Sequence, residues 1–148
     1  MSSWLVTGSP ENFGRTRDLG FSVQGFKSRQ RKKVLEQMQP GDGLVYYLSG
    51  VQAFGGTATI QSEGFEDHEV IWQSKPGEDY PYRVKISADV VLDEGEWVPS
   101  EAVAPGLSYV QKWPPEHWKL AFQGNLRQIP DEDFAALRSA IDAARASS

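Results

Sequence analysis

With 148 residues, 39% of them hydrophobic and 24% charged, the chain has the length and composition of one ordinary globular domain, able to bury a core without staples. The lack of cysteine excludes a disulfide framework and thiolate metal sites, and suits a reducing compartment. A net charge of −5 excludes a uniformly basic nucleic-acid binder, so any affinity for phosphate has to be local.

In chain order, Trp4-Leu-Val-Thr predicts a short opening strand. Ser9-Pro-Glu-Asn starts a helix, with Ser9 as N-cap and Pro10 at the first helical position. Phe21-Ser-Val-Gln, bracketed by Gly20 and Gly25, reads as a connector. Ser28 to Gln39 is the second expected helix, capped by Ser28 and stopped by Pro40-Gly41. A β-rich middle follows. Gly43 to Ser49 reads as a buried strand, Phe54 to Gln61 as its partner, Glu69 to Gln73 as a short strand and Tyr82 to Leu92 as a longer one. Val98 to Tyr109 holds a helical turn and loops, Pro115 to Gln123 a helix, and Leu126 to Ile129 a strand. Asp131 to Ala146 is an amphipathic helix, with Phe134, Leu137, Ile141 and Ala144 on one face and an acidic start that suits the helix dipole.

No repeat, low-complexity tract or separating linker interrupts the chain, so residues 1–148 are read as one domain. The pattern is α+β: about five or six strands with short connections, which suggests a curled sheet or small mixed β-barrel flanked by helices. The opening residues lack a basic region followed by an apolar run, and no stretch approaches the roughly 20 apolar residues of a membrane span. A soluble cytoplasmic protein with no membrane partner is the expectation.

Charge is distributed unevenly. Seven of the 15 basic residues, Arg15, Arg17, Lys27, Arg29, Arg31, Lys32 and Lys33, lie in one window opposed only by Asp18. A stripe of this kind binds phosphate even on an acidic body, because repulsion beyond a Debye length is screened. A solvated helix face is the alternative reading of the same charges.

Catalytic signals are thin. His68 and His117 are the only histidines and have no partner at metal-ligand spacing. No serine sits in a nucleophile elbow, and Gly41-Asp-Gly and Gly55-Gly lack the lysine and hydroxyl residue of a phosphate loop. No catalytic residue, metal or cofactor is therefore assigned. The aromatic residues say more. Most serve the core, as Tyr46, Trp118, Phe122 and Phe134 should, but Phe21, Trp72 and Tyr80 lie in connectors or beside turns. Two or three rings on loop ends are enough to stack a base, at about 1–3 kcal/mol per base.

The order of these signals resembles a known family. Trp4-Leu-Val-Thr-Gly-Ser-Pro-Glu-Asn-Phe13, the basic run to Lys33, Met38-Gln-Pro-Gly-Asp-Gly-Leu-Val-Tyr-Tyr47, Phe54-Gly-Gly, Ile71-Trp72, Tyr80-Pro-Tyr-Arg-Val-Lys-Ile86 and Leu126-Arg-Gln-Ile-Pro-Asp-Glu-Asp-Phe134 are similar to the EVE domain. That domain belongs to the PUA-like superfamily of small β-barrels flanked by helices, and it is related to YTH and ASCH domains. The resemblance implies a non-catalytic module that reads a single, modified base of RNA or DNA in an aromatic cage. Trp72 would be one wall, Phe21 the other in a place usually held by tryptophan, and Tyr80 a third wall or the floor. Thr7, Ser9, Asn12 and Ser22 would read the base edge, since a buried polar group discriminates strongly against the wrong partner. Lys27, Arg29 and Arg31 would contact phosphates, which set register without carrying sequence information. An ASCH-type nucleoside-processing enzyme and a small-molecule or protein-binding module are the alternatives. Oligomeric state is left open, a monomer included.

Overall fold

Gly43–Leu48 (β3) is apolar on both faces, so it can sit only where the sheet is covered on both sides. The computed structural model describes residues 1–73 and 75–146, and puts this segment near the middle of a mixed, curled sheet. On one side β3 runs parallel to β1 (Ser3–Gly8), with Ser3 opposite Gly43 and Gly8 opposite Leu48. On its other side it runs antiparallel to β4 (Ala53–Ile60). The order continues outward from β4 through β6 (Tyr82–Val91) to β2 (Val23–Phe26), and from β1 to β8 (Leu126–Ile129), all antiparallel. Two-residue strands at Phe65–Glu66 (β5) and Val98–Pro99 (β7) pair with β6 and β4. Register slips at Tyr46/Tyr47 and Thr57/Ala58 mark bulges that sharpen the twist and bend the sheet toward closure.

Period-two alternation divides the core between the two faces. Trp4, Val6, Leu44, Tyr46, Leu48, Val84 and Ile86 fill the inside of the curl with Phe13, Phe26, Val34 and Met38. Leu5, Val45, Tyr47 and Phe54 point the other way, under Leu137 and Ile141 of a helix at Asp131–Ala146 (here α3). Burying each such side chain contributes roughly 1.5–3 kcal/mol. α3 approaches the sheet so closely that a Cβ on Gly43 would lie 2.5 Å from Cζ of Phe134. The first helix, α1 (Pro10–Asp18), starts as its sequence dictates: the Asn12 amide donates to Ser9 Oγ at 3.1 Å and Pro10 occupies the first turn. A single helical turn at Ser100–Val103 (α2) and several 3₁₀ turns link β7 to β8.

Four elements differ from expectation. Val23–Phe26 is a strand rather than a connector, because β6 supplies a ladder that local sequence does not advertise. Glu69 to Gln73 is not a strand; side chains, not a neighbouring strand, satisfy its backbone, as described below. The segment from Ser28 is a 3₁₀ turn (Ser28–Gln30) followed by a π turn (Lys33–Gln37), and Ser28 does not cap it. Val34 and Met38 of this segment both reach the inner core, while Leu35 stays half-buried. Pro115–Phe122 is 3₁₀ and breaks at His117, whose φ is −124°.

One buried carboxylate joins the start of β1 to the start of β3. Asp42 accepts from the Trp4 indole, the Ser2 amide and the Gln39 amide, each at 3.0 Å. Its loss strands a buried indole N–H, and an unsatisfied buried donor costs about 1–3 kcal/mol. Asp42→Ala is therefore expected to lower unfolding free energy by about 2–3 kcal/mol in urea titration, with Asp42→Asn less damaging.

Candidate functional site

Between β5 and β6, residues 67–73 and 75–81 form no strand or helix, and three side chains from α1 and β6 anchor them. Arg83, almost wholly buried on β6, donates through Nε to the Tyr80 carbonyl at 3.1 Å and through Nη2 to the carbonyls of Asp79, at 3.0 Å, and Glu69. Asn12 on α1 pairs with the Gln73 backbone in both directions, Nδ2 donating to its carbonyl at 3.1 Å and Oδ1 accepting from its amide at 3.2 Å. Arg15 donates to the Ile71 carbonyl at 3.1 Å. Side-chain donors aimed at the loop's carbonyls thus take the place of a strand partner.

Trp72 is the inward end of this loop and is fully buried. Its ring lies on Gly25 of β2, where a Cβ would come within 2.5 Å of Cε3, and the Arg83 guanidinium covers it at 5.2 Å. The indole N–H donates to Thr16 Oγ1 at 2.9 Å; that hydroxyl donates to Gln24 Oε1 at 3.0 Å, which also accepts from the Tyr46 hydroxyl at 2.9 Å. Burial pushes the Tyr46 phenol well above its ordinary value, so it stays protonated and keeps donating. Each member of this chain polarises the next.

Beside Trp72 a cavity opens at the mouth of the barrel, bounded by Thr7, Asn12, Gln24, Lys27, Tyr80 and Asn125 among others. Ser9 lines the adjoining cleft, which shares Asn12 and Gln24. The Tyr80 ring lies 6.4 Å from that of Trp72, tilted by 43°, and Lys27 Nζ stands 6.0 Å from its centre and 3.8 Å from Glu78. Both Tyr80 and Asn125 have positive φ, 46° and 67°, conformations that non-glycine residues adopt only where their surroundings impose them. In this conformation the cavity holds about 30 Å³, room for a water or two.

Thr7, Asn12, Trp72, Tyr80 and Lys27 thus come together, with Ser9 adjoining, whereas Phe21 and Ser22 lie elsewhere. Phe21 is buried in the inner core, edge-on to Phe13 at 5.4 Å and Tyr46 at 5.9 Å, and does not line the cavity. Ser22 is exposed and donates to the Leu19 carbonyl. Several expected edge-reading groups have structural tasks: Thr7 Oγ1 donates to the Phe122 carbonyl at 2.5 Å, Ser9 caps α1, and Asn12 holds the loop. Of the basic residues, Arg29 donates to the Asn125 side-chain oxygen and Arg31 stands 6.0 Å over the Tyr82 ring. Thr16, Gln24, Gly25, Arg83 and Asn125 complete the site and had not been assigned to it. The available signal was Gly25, an isolated glycine between Gln24 and apolar Phe26, which marks a close approach.

The EVE domain profile matches residues 2–140. The chain belongs to the EVE domain family. A UPF0310 protein of Pyrococcus abyssi is 28% identical over 151 residues, spanning 95% of this chain and all of that one. Among solved structures, the YTH domain of the Zygosaccharomyces rouxii MRB1 protein, in complex with N6-methyladenosine RNA, is similar with a TM-score of 0.67 at 16% identity, over 95% of this chain and 86% of that one. Rpa0253 of Rhodopseudomonas palustris aligns with a TM-score of 0.62 at 17% identity, over 97% and 94% of the two chains. The curled sheet with flanking helices is accordingly the fold that this EVE chain shares with YTH domains.

Two outcomes follow from the anchoring of this loop. Thr16→Val keeps shape but removes the acceptor of the Trp72 indole, and is expected to cost about 1–3 kcal/mol in denaturant unfolding. At the loop's outer end the His68 ring contacts Asp79 at 2.5 Å and Glu66 at 2.6 Å, and these two carboxylates raise its pKa above the ordinary 6.5. A group whose folded pKa is raised stabilises fully below its unfolded value and loses that contribution as pH rises through the folded one. Amide protection factors in residues 67–73 and 75–81, which divide out the intrinsic base-catalysed rate, should therefore be highest below about pH 6.5, fall as His68 deprotonates, and lose this pH dependence in His68→Gln.

Proposed function

We propose that this EVE domain is a non-catalytic nucleic-acid-binding module, for RNA foremost, that receives one unpaired and modified base at the barrel mouth. The observation that carries the reading is the cavity in which Trp72, pinned edge and face, stands beside a half-buried Tyr80 and a fringe of polar and cationic side chains. The similar fold of a YTH domain solved with N6-methyladenosine RNA supports the choice of ligand class.

A base is far larger than the 30 Å³ now open, so entry requires one wall to move. Trp72 is fixed by Gly25, Arg83 and Thr16, whereas among the described residues the Tyr80 side chain meets Lys27 over its ring and Asn12 at 3.5 Å from its hydroxyl. Tyr80 is therefore the wall that swings. It opens onto the base and stacks on it, while Trp72 forms the unmoving back of the pocket. The added group of a modified base removes water from the apolar rings when it enters, at roughly 0.8 kcal/mol per buried methyl-sized unit. Because Thr7 Oγ1 already donates its hydrogen, it meets the base as an acceptor.

Titration of tryptophan fluorescence with adenosine, N6-methyladenosine, cytidine, 5-methylcytidine and six-nucleotide strands carrying each tests the reading. One methylated base is expected to bind several-fold more tightly than its parent. Tyr80→Ala should weaken that complex by about tenfold or more, the worth of one stacked base, at unchanged melting temperature. If no nucleoside or strand perturbs the fluorescence, the proposal fails.

A further inference from the structure

Asn125 belongs to the cavity on one side and to a cationic cluster on the other. With the Asn125 amide turned so that its oxygen faces Arg29, the guanidinium donates to that oxygen, with Nε at 3.2 Å. The π turn that follows carries Lys33 to the same place, where Nζ donates to the Leu126 carbonyl at 2.8 Å. Arg127, on β8, brings a third cation, laid over the Trp113 ring at 5.1 Å and steadied by the Gln123 carbonyl at 3.4 Å. Sequence distance hid this group, since Arg127 lies far outside the basic window.

Three like charges so placed repel. Burial lowers the Lys33 pKa, and the charges of Arg127 and Arg29 lower it further. Among the described residues, no carboxylate lies within 4.0 Å of any of the three, although Arg15, Arg17, Lys27, Arg83 and Arg145 each have one. Arg127 Nε is buried without an acceptor, one of only two such side-chain atoms among the described residues. Uncompensated cations and an orphaned donor are unfavourable alone and favourable around a bound anion.

We propose that Arg29, Lys33 and Arg127 form a seat for a phosphate group, which a polynucleotide fills with the backbone phosphate next to the base in the cavity. Asn125 then couples the two sites, one face on the base pocket and its amide on Arg29. The strand leaves the pocket over the Gly124–Asn125 turn toward β8, and not along Arg31 and Tyr82. The role as a backbone seat rests on the base-binding reading above, whereas affinity for the anion itself does not.

Pyrophosphate, which has no base, separates the two. In the ¹⁵N-labelled protein it is expected to shift the Nε–Hε resonances of Arg29 and Arg127 together and leave those of Arg138 and Arg145 in place. Lys33→Met should weaken the response several-fold at unchanged amide dispersion. Shifts spread evenly over all arginines, or none at Arg127, overturn the seat even where nucleosides bind. A second arm uses a six-nucleotide single strand. Arg127→Gln should reduce the slope of log affinity against log salt by about one, with Arg138→Gln as the unchanged comparison. An unaltered slope with a positive pyrophosphate response would overturn the backbone assignment and point to a free phosphate compound.

Discussion

The seating of the Trp72 indole against the bare backbone of Gly25 governs the mouth of this barrel. Among the described residues of the segment from Asp67 to Pro81, an amide hydrogen bond from Asp67 to the Pro81 carbonyl joins the two ends. Trp72 fixes its inward end by entering a gap that exists because residue 25 has no Cβ. Arg83 then grips the carbonyls on either side, and the Thr16–Gln24–Tyr46 chain fixes the ring's rotation. Remove the close approach and the loop, the cavity wall and the placement of Tyr80 all lose their reference.

This arrangement separates the two aromatic walls by mechanical role. Trp72 is fully buried, with its indole N–H paired to Thr16 and the Arg83 guanidinium over its ring, so it behaves as part of the core. Tyr80 has a positive φ and looser contacts, so it behaves as part of the surface. A recognition pocket needs both: a rigid reference against which shape is judged, and a movable piece that admits the ligand. The cationic residues divide the same way. Arg15 and Arg83 are structural, with their donors on loop carbonyls, while Arg29, Lys33 and Arg127 lack carboxylate partners among the described residues.

Much of the fold could be read locally because local rules and tertiary structure agree there. The Ser9 cap with Pro10, the unbroken apolar run of β3, the alternation in β6 and the helical spacing of α3 each report an element at its own position. What local rules could not give were elements defined by distant partners. Val23–Phe26 becomes a strand because β6 reaches it, and Ile71-Trp72-Gln73 does not, because the Asn12 and Arg15 side chains take its backbone groups instead. The site divided along the same line. Trp72, Tyr80, Thr7 and Asn12 were reachable from pattern and family likeness, and they do meet. Phe21 was misplaced because its glycine-flanked position looks solvent-facing, when the left-handed backbone at Gly20 and Phe21 turns the ring inward onto Phe13 and Tyr46. Arg127 and Asn125 gave no signal, since a lone arginine in a strand is ordinary until its neighbours are known.

The sheet's connectivity bears on how the chain is made. β1 lies between β3 and β8, so one of its edges finds a partner only when Leu126–Ile129 is available. During synthesis that strand, with Trp4 and Val6 on one face and Leu5 on the other, waits with an open edge until almost all of the domain has left the ribosome. The Asp42 carboxylate, which ties Trp4 to the start of β3 much earlier, would hold β1 in register during that interval. A domain wired this way folds late and as a unit, and its aggregation hazard is concentrated in the nascent chain.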